Sequence, residues 1–138
     1  MFFKKKEIKI KKNFLIKVCA LLIHTAKIDE NYTDSEEEII KKTLLKLGLI
    51  KEDLDQTIEN AKIIEQNSNQ ILDFTKEVKN LAEGEKITIV EALWSIIYSN
   101  EKVDIYEDNL MRRLAGLLYI DSKIMGDIKN KIQNKKLK

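Results

Sequence analysis

The 138-residue chain has no proline, four glycines, one cysteine, one histidine and one tryptophan. With the usual markers of sharp turns and strand ends so scarce, Lys, Glu, Leu and Ile dominate, which is the composition of long helices joined by short polar turns. An all-α chain is expected. A lone cysteine excludes a disulfide framework. Cys19 lies in the apolar run Val18-Cys19-Ala20-Leu21-Leu22, where it reads as a small buried hydrophobe in a reducing compartment.

Long hydrophobic runs are also missing. Phe14-Leu15-Ile16 follows a Lys-rich start, as in a secretory signal, but Lys17 and His24 interrupt the stretch and no small-x-small site closes it. No run approaches the roughly 20 apolar residues that a spanning helix needs. A cytoplasmic location is expected rather than export.

Catalytic patterns are equally scarce. There is no nucleophile with a neighbouring base, no glycine-rich phosphate loop and no Cys/His metal spacing, so neither catalytic nor cofactor-binding residues are expected and the chain does not read as an enzyme. His24, beside Thr25 on an apolar helix, reads as a partly buried core or edge residue. Trp94 reads as a core anchor, with Tyr98 one turn further on.

The net charge of +2 conceals a polarised layout: residues 1–17 carry seven Lys against one Glu, and residues 123–138 six Lys against one Asp. An acidic body therefore lies between basic ends. Lysine without interleaved arginine and aromatics reads as solvated helix ends, and no specific nucleic-acid partner is expected. Weak contact with an anionic membrane is a side expectation for Lys4, Lys5, Lys6, Lys9, Lys11 and Lys12, at roughly 1 kcal/mol for each lysine near the surface.

The chain also repeats itself at an offset of 71 residues. The segment D-E-N-Y-T-D-S-E, Asp29 to Glu36, precedes Ile39, Ile40, Leu44 and Leu47 and matches N-E-K-V-D-I-Y-E, Asn100 to Glu107, ahead of Leu110, Met111, Ala115 and Leu118. Each unit reads as apolar helix, acidic turn, amphipathic helix. Two such hairpins can bury together what neither could bury alone.

Apolar spacing predicts seven helices, over 13–28, 35–47, 51–66, 70–82, 85–99, 105–119 and 122–134. Gly48 is placed as the stop of the second. The third carries the stripe Leu54, Ile58, Ala61 and Ile64. The fourth turns Ile71, Phe74, Val78 and Leu81 inward. The expected organisation is a basic N-terminal segment over 1–12, one helical domain over 13–134 and a basic tail over 135–138.

Both acidic turns begin with a short oxygen-bearing side chain, Asp29 or Asn100, and end on a glutamate, Glu36 or Glu107. Asn31, Thr33, Asp34 and Asp104 add further oxygens. Oxygen-only ligands suit a hard divalent cation such as Ca²⁺ or Mg²⁺. The glycine and the distant closing carboxylate of an EF-hand loop are absent. A second reading needs no metal: Thr33-x-x-Glu36 is a capping box, and Asp104 stands three residues before Glu107 as a polar helix cap.

The stretch V-E-A-L-W-S-I-I-Y-S-N-E-K-V-D-I-Y-E-D-N-L-M-R-R-L-A-G-L-L, Val90 to Leu118, resembles the second half of tellurite-resistance protein B (TerB-like) proteins: an E-A-L-W helix, an acidic turn and an R-R-L-A-x-L-L helix. Val18 to Leu49 resembles the paired copy, and Ile71-Leu72-Asp73-Phe74-Thr75 the segment between. The resemblance covers about 120 of the 138 residues.

It implies an all-helical bundle whose acidic turns form a metal site, with Asp29 and Glu36 in one copy and Asn100 and Glu107 in the other. It also implies a place in a bacterial tellurite and stress-resistance group, and an unidentified protein partner, since a related module belongs to a membrane-anchored co-chaperone. Glu30 and Glu101 stand where the family prefers glycine. Asn100 replaces a carboxylate, which removes one negative charge from the ligand set.

Overall fold

The computed structural model describes the backbone of residues 2–27, 33–67, 72–76, 78–99 and 105–137, and the side chains of 13–27, 33–67, 74–76, 78–79, 81–99 and 109–135. Among them there are helices and turns and no strands. Six helices have 13 residues or more: α1 (Phe2–Ala26), α2 (Asp34–Lys46), α3 (Leu54–Asn67), then, after the single turn α4 (Leu72–Thr75), α5 (Glu83–Ser99), α6 (Ile105–Leu117) and α7 (Ser122–Leu137). Short 3-10 turns occupy Lys51–Asp53 and Val78–Asn80.

The predicted repeat extends further than two hairpins. Shifted by 71 residues, the bounds of α2 become those of α6, and the segment from Lys51 through α3 falls on α7. Each unit therefore holds three helices, with α1, α2 and α3 answered by α5, α6 and α7. In both, the first helix packs along the third.

The two first helices form the centre. From Leu15 to Ala26 only Ile16, Lys17 and His24 of α1 escape full burial, and Ile89 to Tyr98 of α5 are buried apart from Glu91 and Ser95. Helices apolar nearly all round must be enclosed by others. Accordingly, α1 packs against α2, α3, α4 and α5, while α5 also receives α2 and α7.

Both second helices end in the same way. After α2, Gly48 takes a positive φ of 103°, its N–H donates to Leu45 O and the Leu49 N–H donates to Leu44 O. After α6, Tyr119 takes a φ of 55°, its N–H donates to Gly116 O and the Ile120 N–H donates to Ala115 O. These paired bonds are the Schellman arrangement, which satisfies the last carbonyls of a helix. The sequence places the first stop on Gly48; the second, offset by 71 residues, falls on a tyrosine.

Three expectations are corrected. The helix expected over 70–82 is a four-residue turn and a 3-10 turn, because Phe74 and Val78, four residues apart, are buried by tertiary packing rather than along one helix face. Isolated short helices are marginal, so the packing decides. Helix α1 starts at Phe2 instead of residue 13: its lysines are good helix formers although they carry no apolar period. In α3 the buried face runs through Leu54, Ile58, Ala61 and Glu65, while Ile64 is 37% exposed.

Candidate functional site

Helix α2 starts from a complete capping box. Thr33 is in the extended conformation, its Oγ1 accepts from the Glu36 N–H at 3.2 Å, and its own N–H donates to Glu36 Oε1 at 3.0 Å. The Thr33 hydroxyl also donates to Oε1, at 2.9 Å. Glu36 is fully buried. With Asp34 and Glu37 it puts three carboxylates in the first turn, where the helix dipole favours negative charge.

Of the eight oxygen-bearing residues expected at the two turns, Thr33, Asp34 and Glu36 have described side chains. Asp29, Asn31, Asn100 and Asp104 lie outside the described residues, as does the side chain of Glu107, whose backbone is in the first turn of α6. Among the described residues no three of His, Cys, Asp and Glu gather as a metal-binding group.

A second cluster lies at the C-terminal end of α1. Glu65 of α3 is buried, with Lys27 Nζ donating to its Oε2 at 2.7 Å and His24 Nδ1 lying 3.3 Å from its Oε1. The His24 ring leans on Phe74 at a centroid distance of 6.3 Å. His24 is thus the partly buried edge residue expected, and the ion pair joins α1 to α3. Sequence reasoning missed Glu65, although its position continues the spacing of Leu54, Ile58 and Ala61.

Cys19 is buried, and burial pushes its thiol up to about 12, the small opposing effects being Lys62, which lowers it, and Glu37, which raises it. The reactive form of cysteine is the thiolate, so this thiol is inert in the folded chain. Trp94 is 2% exposed and stacks on Tyr98 at 5.9 Å, the core position expected of it.

Cavities flank α7 on more than one side. One, of about 500 Å³, lies between α2, α5 and α7 and includes Lys42, Lys46 and Lys135; another, of about 350 Å³, lies between α5, α6 and α7 beside Trp94. No helix among the described residues is long and apolar enough to cross a membrane.

Residues 15–130 match the family model described as tellurite resistance protein TerB. No curated protein and no solved structure matches the chain. The family match begins at Leu15 in the first central helix and ends at Asn130 in α7, taking in both repeated units. The all-helical architecture and the match over most of its length agree: the chain belongs to the TerB family of tellurite-resistance proteins.

Proposed function

We propose that this TerB-family chain is a non-enzymatic cytoplasmic binding module in which Asp29, Glu36, Asn100 and Glu107 hold a divalent cation, Ca²⁺ or Mg²⁺. The cation ties the two three-helix units together and supports assembly with a protein partner in a stress-response complex. The observation that carries this reading is the full burial of the Glu36 carboxylate at the helix start that follows the first acidic turn. A buried carboxylate persists where donors or a cation compensate its lost hydration.

The 71-residue register puts Glu107 in the same turn of α6. The donor set contains only oxygens, with Asn31, Thr33 and Asp104 as further candidates, which suits a hard cation. A second reading is favoured by the completeness of the Thr33–Glu36 capping box: a metal-free protein-interaction domain whose acidic residues serve only as helix caps.

Thermal unfolding of chelator-treated protein during titration with Ca²⁺, Mg²⁺, Mn²⁺ and Zn²⁺ tests the proposal, beside an Asp29→Asn, Glu107→Gln variant that leaves Thr33 and Glu36 intact. A cation that binds only the folded state stabilises it by about 2.7 kcal/mol at 100 times its Kd. A saturable rise in Tm that the variant loses is expected. No shift with any metal overturns the cation reading in favour of the interaction domain.

A further inference from the structure

The two units differ in what covers their central helices. In the first, the turn α4 packs against α1 and α6, and its buried Phe74 sets its ring against His24. Exchanging the units through the 71-residue register turns α1 into α5, α6 into α2 and His24 into Ser95. The corresponding place, over α5 and beside α2, is the cavity of about 500 Å³, and Ser95 lines it. Where the first unit seats an aromatic side chain from a short helical turn, the second has an open groove.

The chemistry of the groove selects the sign of its guest. Ile39, Ala92 and Ile132 give it apolar surface. Ser95 and Ser99 donate their hydroxyl hydrogens within α5, to Glu91 O at 2.7 Å and Ile96 O at 2.6 Å. Their oxygens therefore face a guest as acceptors, suited to main-chain N–H groups. Exposed Lys42 and Lys46 of α2 and Lys135 of α7 also line the groove, and none of the three has an ion-pair partner among the described residues. The carboxylate of Glu91 is already engaged by Lys131, at 3.4 Å. Acidic side chains meet complementary charge here, and basic ones are repelled.

We propose that the groove between α2, α5 and α7 docks a short helical segment of an acidic partner protein. The segment seats one aromatic side chain over Ser95, as Phe74 is seated over His24, and sets Asp or Glu beside Lys42, Lys46 and Lys135. This is the familiar mode in which an apolar helix face fills a groove while charge at the rim sets specificity. The inference rests on the protein-partner part of the proposed function and supplies that partner's chemistry; the cation has no role in it.

The full chain, isotope-labelled and kept in chelator, is titrated with a synthetic peptide in which the Leu-Asp-Phe-Thr of α4 is flanked by glutamates. One control peptide has Ala for Phe, and another has Lys for every acidic residue. The acidic peptide is expected to shift the amide resonances of Lys42, Ser95 and Ile132 saturably, with both controls at least about tenfold weaker. Lys42→Gln combined with Lys46→Gln, both at exposed positions, should weaken it about tenfold, within the reach of two exposed ion pairs. Ser95→Leu, which fills the groove, should abolish binding. No saturable response at the groove, equal binding of either control, or full affinity in the double-lysine variant each overturns the proposal. Self-association that Ser95→Leu removes overturns it too, in favour of a second copy of the chain. Because chelator is present throughout, failure of the peptide to bind is distinct from failure of the metal titration.

Discussion

Gly48 and Tyr119 hold the same left-handed backbone at the same point of two repeated units, with φ of 103° and 55°. Each follows a 13-residue helix, and each N–H bonds to a carbonyl three residues back. Glycine takes this conformation freely, but an L side chain in it costs roughly 1–2 kcal/mol. Tyr119 is 70% exposed, and its ring sees Lys79 and Lys86 at 5.7 and 6.0 Å, contacts worth about 0.5 kcal/mol at such sites. Tyr119→Gly should therefore stabilise the fold by up to about 1 kcal/mol and Gly48→Ala destabilise it by about 1 kcal/mol. Urea midpoints at unchanged slope would measure both. A loss of stability in Tyr119→Gly would mean that the lysine contacts outweigh the strain.

Glu65 makes its two partners unequal. Lys27 and His24 are each more than a third exposed, whereas the Glu65 side chain is 9% exposed. Removing Lys27 leaves Oε2 of a buried carboxylate without that donor and only His24 beside Oε1, but removing Glu65 lets Lys27 turn into water. Lys27→Met should cost about 1–2 kcal/mol, the upper part of that range being trimmed by solvent screening of Lys27. Glu65→Met should be close to neutral, and adding Lys27→Met to it should change little. A double-mutant cycle settles the order, and equal costs for the two single changes would contradict the asymmetry.

Where a residue's role depends on neighbours a few positions away, the sequence disclosed it. Apolar spacing marked α2 and α6, Gly48 marked a helix stop, and Thr33-x-x-Glu36 announced the capping box. Where the role depends on distant neighbours it did not. Glu65 meets partners 38 and 41 residues away, and a carboxylate beside an apolar stripe reads as its polar border. Phe74 and Val78 imitate helical spacing while being drawn inward by separate contacts. Tyr119 carries no glycine signal although it holds the same left-handed backbone. The third helices escaped the repeat because Ile58 answers to Lys129, a pair alike in place but not in chemistry.

Cys19 links the core to alkaline stability. Its folded pKa, raised by burial to about 12, lies above the ordinary thiol value of 9.0. The folded state therefore holds a proton that the unfolded thiol releases. This contribution is fully present below pH 9.0 and is lost as pH rises towards about 12, at up to about 1.4 kcal/mol per pH unit for one proton. Compared with Cys19→Ala, the parent should lose stability more steeply over that interval. Iodoacetamide should label the parent only as fast as it opens. Parallel alkaline profiles, or rapid labelling of the native chain, would show a solvent-accessible thiol.

Thr33 separates capping from coordination in the first turn. Its hydroxyl both accepts from the Glu36 N–H and donates to Glu36 Oε1, so Thr33→Val removes both bonds at nearly constant shape. Loss of an N-cap costs about 1 kcal/mol, and Thr33→Ser should restore most of it. If Glu36 serves only as a cap, that loss will be the same with chelator and with saturating Ca²⁺ or Mg²⁺. If Glu36 is also a ligand, losing the hydroxyl's bond to Oε1 while the backbone N–H bond remains changes how the carboxylate meets the ion, and the metal-induced rise in Tm will differ between Thr33→Val and the parent. Unfolding both proteins with and without metal gives the coupling directly: zero coupling confines the pair to the helix start, and non-zero coupling ties the capping box to the cation.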